Sequence, residues 1–75
     1  MNATDYALAG RLKKAYELAR VLHREGVTVE RLQQYTPNDW TFLVAHAGYT
    51  NTELSAETKA LTIQKLAMLY DPEAK

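Results

Sequence analysis

The chain has 75 residues, with nine Lys plus Arg balanced by nine Asp plus Glu, and it contains no Cys. This length suits a single small domain, residues 1–75, which buries only about 60% of the surface that its unfolded chain exposes. The zero net charge gives no argument for a polyanion or membrane surface as a partner, and the lack of Cys excludes disulfides and thiolate metal sites.

The small size predicts that the domain needs additional stabilisation from outside its own core. Chains of this length rarely gain more than about 3–5 kcal/mol from one core, and disulfides, a metal or a partner chain supply the rest. Since disulfides are excluded, we expect a homo-oligomer or a complex with another protein. No apolar run approaches the ~18 residues of a membrane span, and the first five residues lack the pattern of a signal peptide. These features predict a soluble, cytoplasmic protein.

The first predicted helix is capped by Asn2 or Thr4 and runs to about Glu25, before Gly26. Its apolar residues recur in steps of four and three, which is the spacing of a helix face against a core. Gly10 lies inside this pattern and predicts either the close approach of another helix or, as the alternative, a bend or a docking groove. The predicted apolar stripe consists of Leu8, Leu12, Ala15, Ala19 and Leu22, and it is widened by Tyr16, Leu18 and Val21.

Five of the nine basic residues lie on this helix, and residues 1–31 carry six basic against four acidic side chains. Lys13, Arg20 and Arg24 share the polar face with Glu17. The simpler interpretation is a solvated face. The alternative is a surface that contacts phosphates or an acidic protein.

A short second helix is predicted over residues 27–34, capped by Thr28, and it is too short to persist alone. The central helix follows, from Pro37 to Ala47, and holds the only Trp and the only Phe of the chain. Thr36 is its predicted N-cap, with Asp39 reaching back to the cap. Tyr35 and Trp40 occupy the positions of a hydrophobic staple, and Gly48 supplies the left-handed residue after the helix. Six apolar residues surround most of this helix, which predicts burial nearly all round: Trp40, Phe42, Leu43, Val44, Ala45 and Ala47.

The last predicted helix runs from Ala56 to Tyr70, with Ser55 as the favoured cap and Asn51 or Thr52 as alternatives. The spacing predicts that it buries Ala60, Ile63, Leu66, Ala67 and Tyr70. Two apolar residues fall on the opposite, polar side, and they predict a partner-binding or dimer surface, with partial burial in the monomer as the alternative. This predicted surface consists of Leu61, Gln64, Lys65 and Met68.

The fold class is therefore all-α: a compact single-domain bundle of four helices in the order long, short, medium, long. The Trp40 helix is expected to pack between the two long helices.

Few residues are suited to catalysis or to holding a ligand. Ser55 is explained as an N-cap, His46 by the carbonyl end of the central helix, and His23 as a solvated residue at a helix end. The two histidines do not have a metal-ligand spacing, and no acid and base pair is evident. We expect no enzyme activity, no cofactor, no metal and no small-molecule ligand.

One turn resembles the helix-turn-helix motif of lac-repressor-type DNA-binding regulators. Ala47, Gly48, Tyr49, Thr50 and Leu54 match that pattern over about a dozen residues. The resemblance implies that Thr52, Glu53, Ser55 and Ala56 approach bases and phosphates.

Val44 and Glu57 depart from this motif, and the implied recognition segment, residues 50–58, contains Glu53 and Glu57 and no Lys or Arg. Phosphate contacts by basic residues supply much of the affinity for DNA. The DNA-binding regulator, with Lys13, Arg20 and Arg24 on phosphates, is therefore the alternative. The preferred prediction is a non-enzymatic regulatory, adaptor or inhibitor protein that binds another protein or itself.

Overall fold

The computed structural model describes the backbone of residues 3–50 and 52–73, and the side chains of residues 8–50 and 52–73. These residues form four helices and no strand: α1 (Ala3–Arg24), α2 (Val29–Gln33), α3 (Pro37–His46) and α4 (Ala56–Tyr70). The predicted all-α bundle, in the order long, short, medium, long, is confirmed.

The predicted N-caps of α2, α3 and α4 are confirmed. The Thr28 hydroxyl accepts a hydrogen bond from the Arg31 backbone N–H at 3.2 Å. Ser55 accepts one from the Thr58 N–H, also at 3.2 Å. Thr36 and Asp39 bond reciprocally at 3.2 and 2.9 Å, which completes the capping box of α3. Each hydroxyl satisfies a backbone donor that the helix itself leaves open.

Other predicted helix ends need correction. α1 begins at Ala3, so Thr4 lies inside the helix rather than at its cap, while the alternative caps Asn2 and Asn51 lie outside the described residues. α3 ends at His46, one residue earlier than predicted, with Ala47 as its C-cap. The glycines after α1 and α3 have φ of 79° and 95°, the left-handed conformation that ends a helix.

The two long helices pack directly against each other in parallel orientation. His23, near the end of α1, packs edge-on against Tyr70 at the end of α4, with ring centroids 4.7 Å apart. Near the start of α4, the pKa of Glu57 is lowered by backbone and Ser55 hydrogen bonds and also by the charge of Arg11. The prediction that α3 separates the long helices is therefore wrong. α3 instead adds its buried side to a core that all four helices share, consisting of Leu18, Ala19, Leu22, Leu32, Trp40, Leu43, Val44 and Leu66.

The apolar stripe of α1 is buried only in its C-terminal half. Ala15, Ala19 and Leu22 are buried as predicted, whereas Leu8 and Leu12 are exposed. α1 has 22 residues and α4 has 15, so α4 cannot cover the whole length of α1. Among the described residues, a Cβ added to Gly10 would meet nothing within 4 Å, so the predicted close approach of another helix is not found there.

The buried face of α4 lies partly to one side of the predicted face. Thr58, Thr62 and Leu66 are buried, whereas Ala60 and Tyr70 are exposed. Ile63 and Ala67, also expected in the core, are half-buried. The two threonines tolerate burial because their hydroxyls are satisfied locally. The Thr62 hydroxyl donates to the Thr58 carbonyl at 2.7 Å, and the Thr58 and Ser55 hydroxyls bond at 2.9 Å.

α3 buries one face, not its whole circumference. Trp40, Leu43 and Val44 are buried, Ala47 is half-buried and Ala45 is exposed. Phe42 has 76% of its surface exposed. Residues of a helix are about 100° apart, so Phe42 points roughly 200° away from Trp40. The predicted burial of Phe42 and Ala45 is therefore wrong.

Candidate interaction cleft

A cleft of about 530 Å³ opens between the C-terminal end of α1, α2 and one side of α3. Its lining combines two core leucines with aromatic and charged groups at the surface. The lining residues are Leu22, Glu25, Arg31, Gln34, Tyr35, Asp39, Phe42, Leu43 and His46. Polar groups make up more of the accessible lining than apolar groups do, and Leu22 and Leu43 expose little surface to the cleft.

The capping box at the start of α3 holds the aromatic part of this cleft in place. With Thr36 and Asp39 bonded to each other's backbone N–H, the first turn of α3 has a defined direction. Tyr35, just before the cap, packs edge-on against Trp40 with ring centroids 5.8 Å apart, as the staple predicted. Trp40 is thereby directed inward, and the same rotation of the helix directs Phe42 outward.

Glu25 and His46 connect the two sides of the cleft. Glu25 follows α1, His46 is the last residue of α3, and the Nε2 and Oε1 atoms of the pair are 2.9 Å apart. Their side chains are about half exposed, at 48% and 53%, and exposed pairs of this kind contribute little to stability. The main effect of the Glu25–His46 pair is positional, since it holds the end of α3 beside the turn that follows α1. His46 thus has a structural contact that the sequence did not specify.

Arg31 supplies a positive charge in the cleft lining. Its side chain is exposed, and no ion pair to it is found within residues 8–50 and 52–73. Asp39, which also lines the cleft, uses its carboxylate in the capping box. Arg31 therefore remains available for an acidic group of a bound molecule, whereas Glu25 and Asp39 have contacts within the chain.

Only part of the predicted partner surface on α4 is accessible. Met68 has 42% of its surface exposed and Gln64 is exposed, but Leu61 and Lys65 are half-buried. Leu61 thus follows the alternative interpretation, partial burial within the monomer. Whether this surface binds a partner stays a prediction.

Lys13, Arg20 and Arg24, the predicted phosphate contacts, are all exposed on α1. The Arg20 guanidinium lies 6.0 Å from the centre of the Tyr16 ring. This supports the predicted solvated basic face, and whether it contacts nucleic acid stays a prediction.

The helix-turn-helix geometry implied by the resemblance does not form. After α3 ends at His46, residues 47–50 and 52–55 are non-helical, and α4 begins only at Ala56. The motif joins its two helices by a turn of 3–4 residues. Thr52 and Glu53 therefore lie in a long connection, and Ser55 caps α4 instead of contacting a base.

No known protein family, characterised protein or solved structure is significantly similar to this chain. Within the described residues, no three His, Asp or Glu side chains are grouped as metal ligands would be. None of the helices, over the described part of the chain, has the length and apolarity needed to cross a membrane. The arguments for function therefore come from the exposed surfaces.

Phe42 is the main surface residue that the sequence argument missed. The spacing of the apolar residues in α3 already indicated that Phe42 is exposed. Trp40, Leu43, Val44 and Ala47 fall within roughly 100° of one another around the helix, and Phe42 falls on the opposite side. The high apolar content of the segment obscured this asymmetry.

Tyr49, in the connection after α3, contacts α1 through its hydroxyl, which donates a hydrogen bond to the Glu17 carboxylate. The Lys14 ammonium lies over the Tyr49 ring, 4.9 Å from its centre. The pKa of Tyr49 is raised from 10.0 to about 12, first by burial and then by the hydrogen bond and negative charge of Glu17. Each of these influences favours the neutral phenol over the phenolate.

The raised pKa of Tyr49 predicts a loss of stability at alkaline pH. Between about pH 10 and 12 the unfolded chain releases the phenol proton while the folded chain keeps it, so the free energy of unfolding falls as pH rises. We expect Tyr49→Phe to be less stable at neutral pH but to show a shallower decline through this window. Urea unfolding monitored by circular dichroism at a series of pH values measures both effects.

Tyr16→Phe is the matched control, since Tyr16 is exposed and should retain the wild-type decline. Equal slopes for wild type and Tyr49→Phe would contradict the assignment of this pH dependence to Tyr49.

Proposed function

We propose that this protein is a non-enzymatic protein-interaction module that binds its partner through the cleft beside Phe42. The observation that carries the proposal is the 76% exposure of the Phe42 side chain in a domain whose other central-helix aromatic, Trp40, is buried. Holding a large apolar ring in water has no benefit for the monomer, and burying it in a complex would contribute roughly 1.5–3 kcal/mol. A regulatory, adaptor or inhibitor role in the cytoplasm is consistent with this proposal.

The composition of the cleft supports the same proposal. Leu22 and Leu43 belong to the buried core, so core packing holds the part of the cleft that they line in place before a partner binds. Tyr35 and Arg31 are residue types that are enriched at binding hot spots, and both line the cleft. The partner is either another protein or a second copy of the chain that inserts an apolar side chain here.

The test compares Phe42→Ala with Met68→Ala, an exposed apolar residue on a different helix. Sedimentation velocity first determines whether the wild type self-associates. The immobilised protein is then used to isolate a partner from its own organism, and the affinity of that complex is measured by calorimetry. We expect Phe42→Ala to weaken self-association or the complex by roughly 30-fold or more, the effect of removing a hot-spot residue.

Both variants should keep the wild-type melting temperature, because exposed substitutions usually change stability by no more than about 0.5 kcal/mol. Met68→Ala should also keep the wild-type affinity. Full binding by Phe42→Ala together with loss in Met68→Ala would move the site to α4 and contradict the proposal.

A further inference from the structure

We propose that the outward face of α1 binds an acidic amphipathic helix of another protein, independently of the cleft beside Phe42. The first observation is an exposed apolar stripe. Leu8, Leu12 and Tyr16 are 49%, 37% and 46% exposed. They follow one another at intervals of four residues, so they lie along one side of the helix. The stripe lies toward the N-terminal end of α1, before most of the buried residues of that helix.

The second observation is a line of positive charge next to this stripe. Lys13, Arg20 and Arg24 are separated by seven and four residues, which places them in one row along α1. All three are exposed, and within residues 8–50 and 52–73 no ion pair is found for any of them. The contact between Arg20 and the Tyr16 ring joins the charged row to the apolar stripe.

The acidic residue nearest to this row has a contact inside the chain. The Glu17 carboxylate accepts the hydrogen bond from Tyr49 and so interacts with the connection after α3. The row therefore carries three positive charges against the single negative charge of Glu17, which Tyr49 holds in place. A complementary surface would carry Asp or Glu along one edge.

An amphipathic helix is the occupant that matches both features. A helix with Leu or a similar residue at intervals of three and four covers the stripe, and carboxylates beside those residues face Lys13, Arg20 and Arg24. A second copy related by a two-fold axis would bring the basic row close to itself, and like charges disfavour that arrangement. A nucleic acid would pair with the charges but would leave Leu8 and Leu12 uncovered.

The test is a titration of the isotope-labelled full chain with a synthetic helical peptide of about 15 residues, followed by amide chemical shifts. The peptide carries Leu at intervals of three and four, with Glu on both flanks. A control peptide keeps every Leu and carries Lys in place of Glu. We expect the acidic peptide to shift amides within residues 8–24, more weakly as salt is added, and the basic peptide to have no effect.

Arg20→Glu should weaken binding of the acidic peptide at least about fivefold, since it replaces an attraction by a repulsion. Lys65→Glu makes the same charge change on α4, outside both proposed sites, and should leave the affinity unchanged. Phe42→Ala should also leave it unchanged, so the two proposed sites can fail separately.

Absence of shifts at millimolar acidic peptide would overturn the proposal, as would equal losses in Arg20→Glu and Lys65→Glu. Phosphatidylserine vesicles and a single-stranded oligonucleotide are titrated in parallel. If either binds through α1 more tightly than the acidic peptide does, the face is a membrane or nucleic-acid site, and the proposal is wrong.

Discussion

Trp40→Ala is expected to unfold most of the protein at room temperature. The side chain is 6% exposed and contacts Tyr35 edge-on and the Lys59 ammonium, which lies 5.9 Å from its ring centre. Replacing a buried aromatic residue by Ala costs about 3–5 kcal/mol, and a domain of this size has a stability of about the same magnitude. Urea unfolding monitored by circular dichroism measures the loss.

Phe42→Ala is the matched control, because it removes the other large aromatic side chain of the same helix. We expect its free energy of unfolding to stay within about 0.5 kcal/mol of the wild-type value. Similar losses in the two variants would show that α3 does not have one buried and one exposed face.

Leu66→Ala is the second substitution with a large expected effect. Leu66 is fully buried in α4 and belongs to the same core as Leu18, Leu22 and Trp40. Removing the methine carbon and the two methyl groups from such a position leaves a cavity and costs about 2–5 kcal/mol. The midpoint of urea unfolding should therefore fall well below that of the wild type.

The control for this variant is Met68→Ala, two residues further along the same helix and 42% exposed. It should change the unfolding free energy by no more than about 0.5 kcal/mol. A larger loss for Met68→Ala than for Leu66→Ala would mean that α4 faces the core with a different side.

The sequence predicted the helices well because their ends depend on local chemistry. Thr28, Thr36 and Ser55 cap helices through hydrogen bonds to residues three positions away. The left-handed glycines that follow α1 and α3 are equally local. None of these features requires knowledge of which helix packs against which.

The wrong predictions concern which face of each helix is buried, because that depends on tertiary packing. Apolar residues surround α3, so periodicity alone did not show that Phe42 is exposed and Trp40 is not. In α4 the core includes Thr58 and Thr62, which a search for apolar residues overlooks, although each hydroxyl is satisfied within the helix. In α1, packing determines which part of the apolar stripe is covered, and Leu8 and Leu12 remain exposed.

The candidate site was less predictable than the fold. Its lining comes from three helices and includes Glu25 and His46, which are 21 residues apart and meet only after α3 has packed. The predicted surface on α4 was derived from one helix considered alone. Packing half-buries Leu61 and Lys65 of that surface, and it forms a cleft beside Phe42 instead.

α3 directs the indole ring of Trp40 into the core and the phenyl ring of Phe42 into solvent. A soluble paramagnetic agent tests both rings in one NMR experiment, because it broadens the signals of protons that it can approach. We predict strong broadening of the Phe42 ring protons and little effect on those of Trp40. Protection of the Phe42 ring, or broadening of the Trp40 ring equal to that in the urea-unfolded chain, would contradict the account.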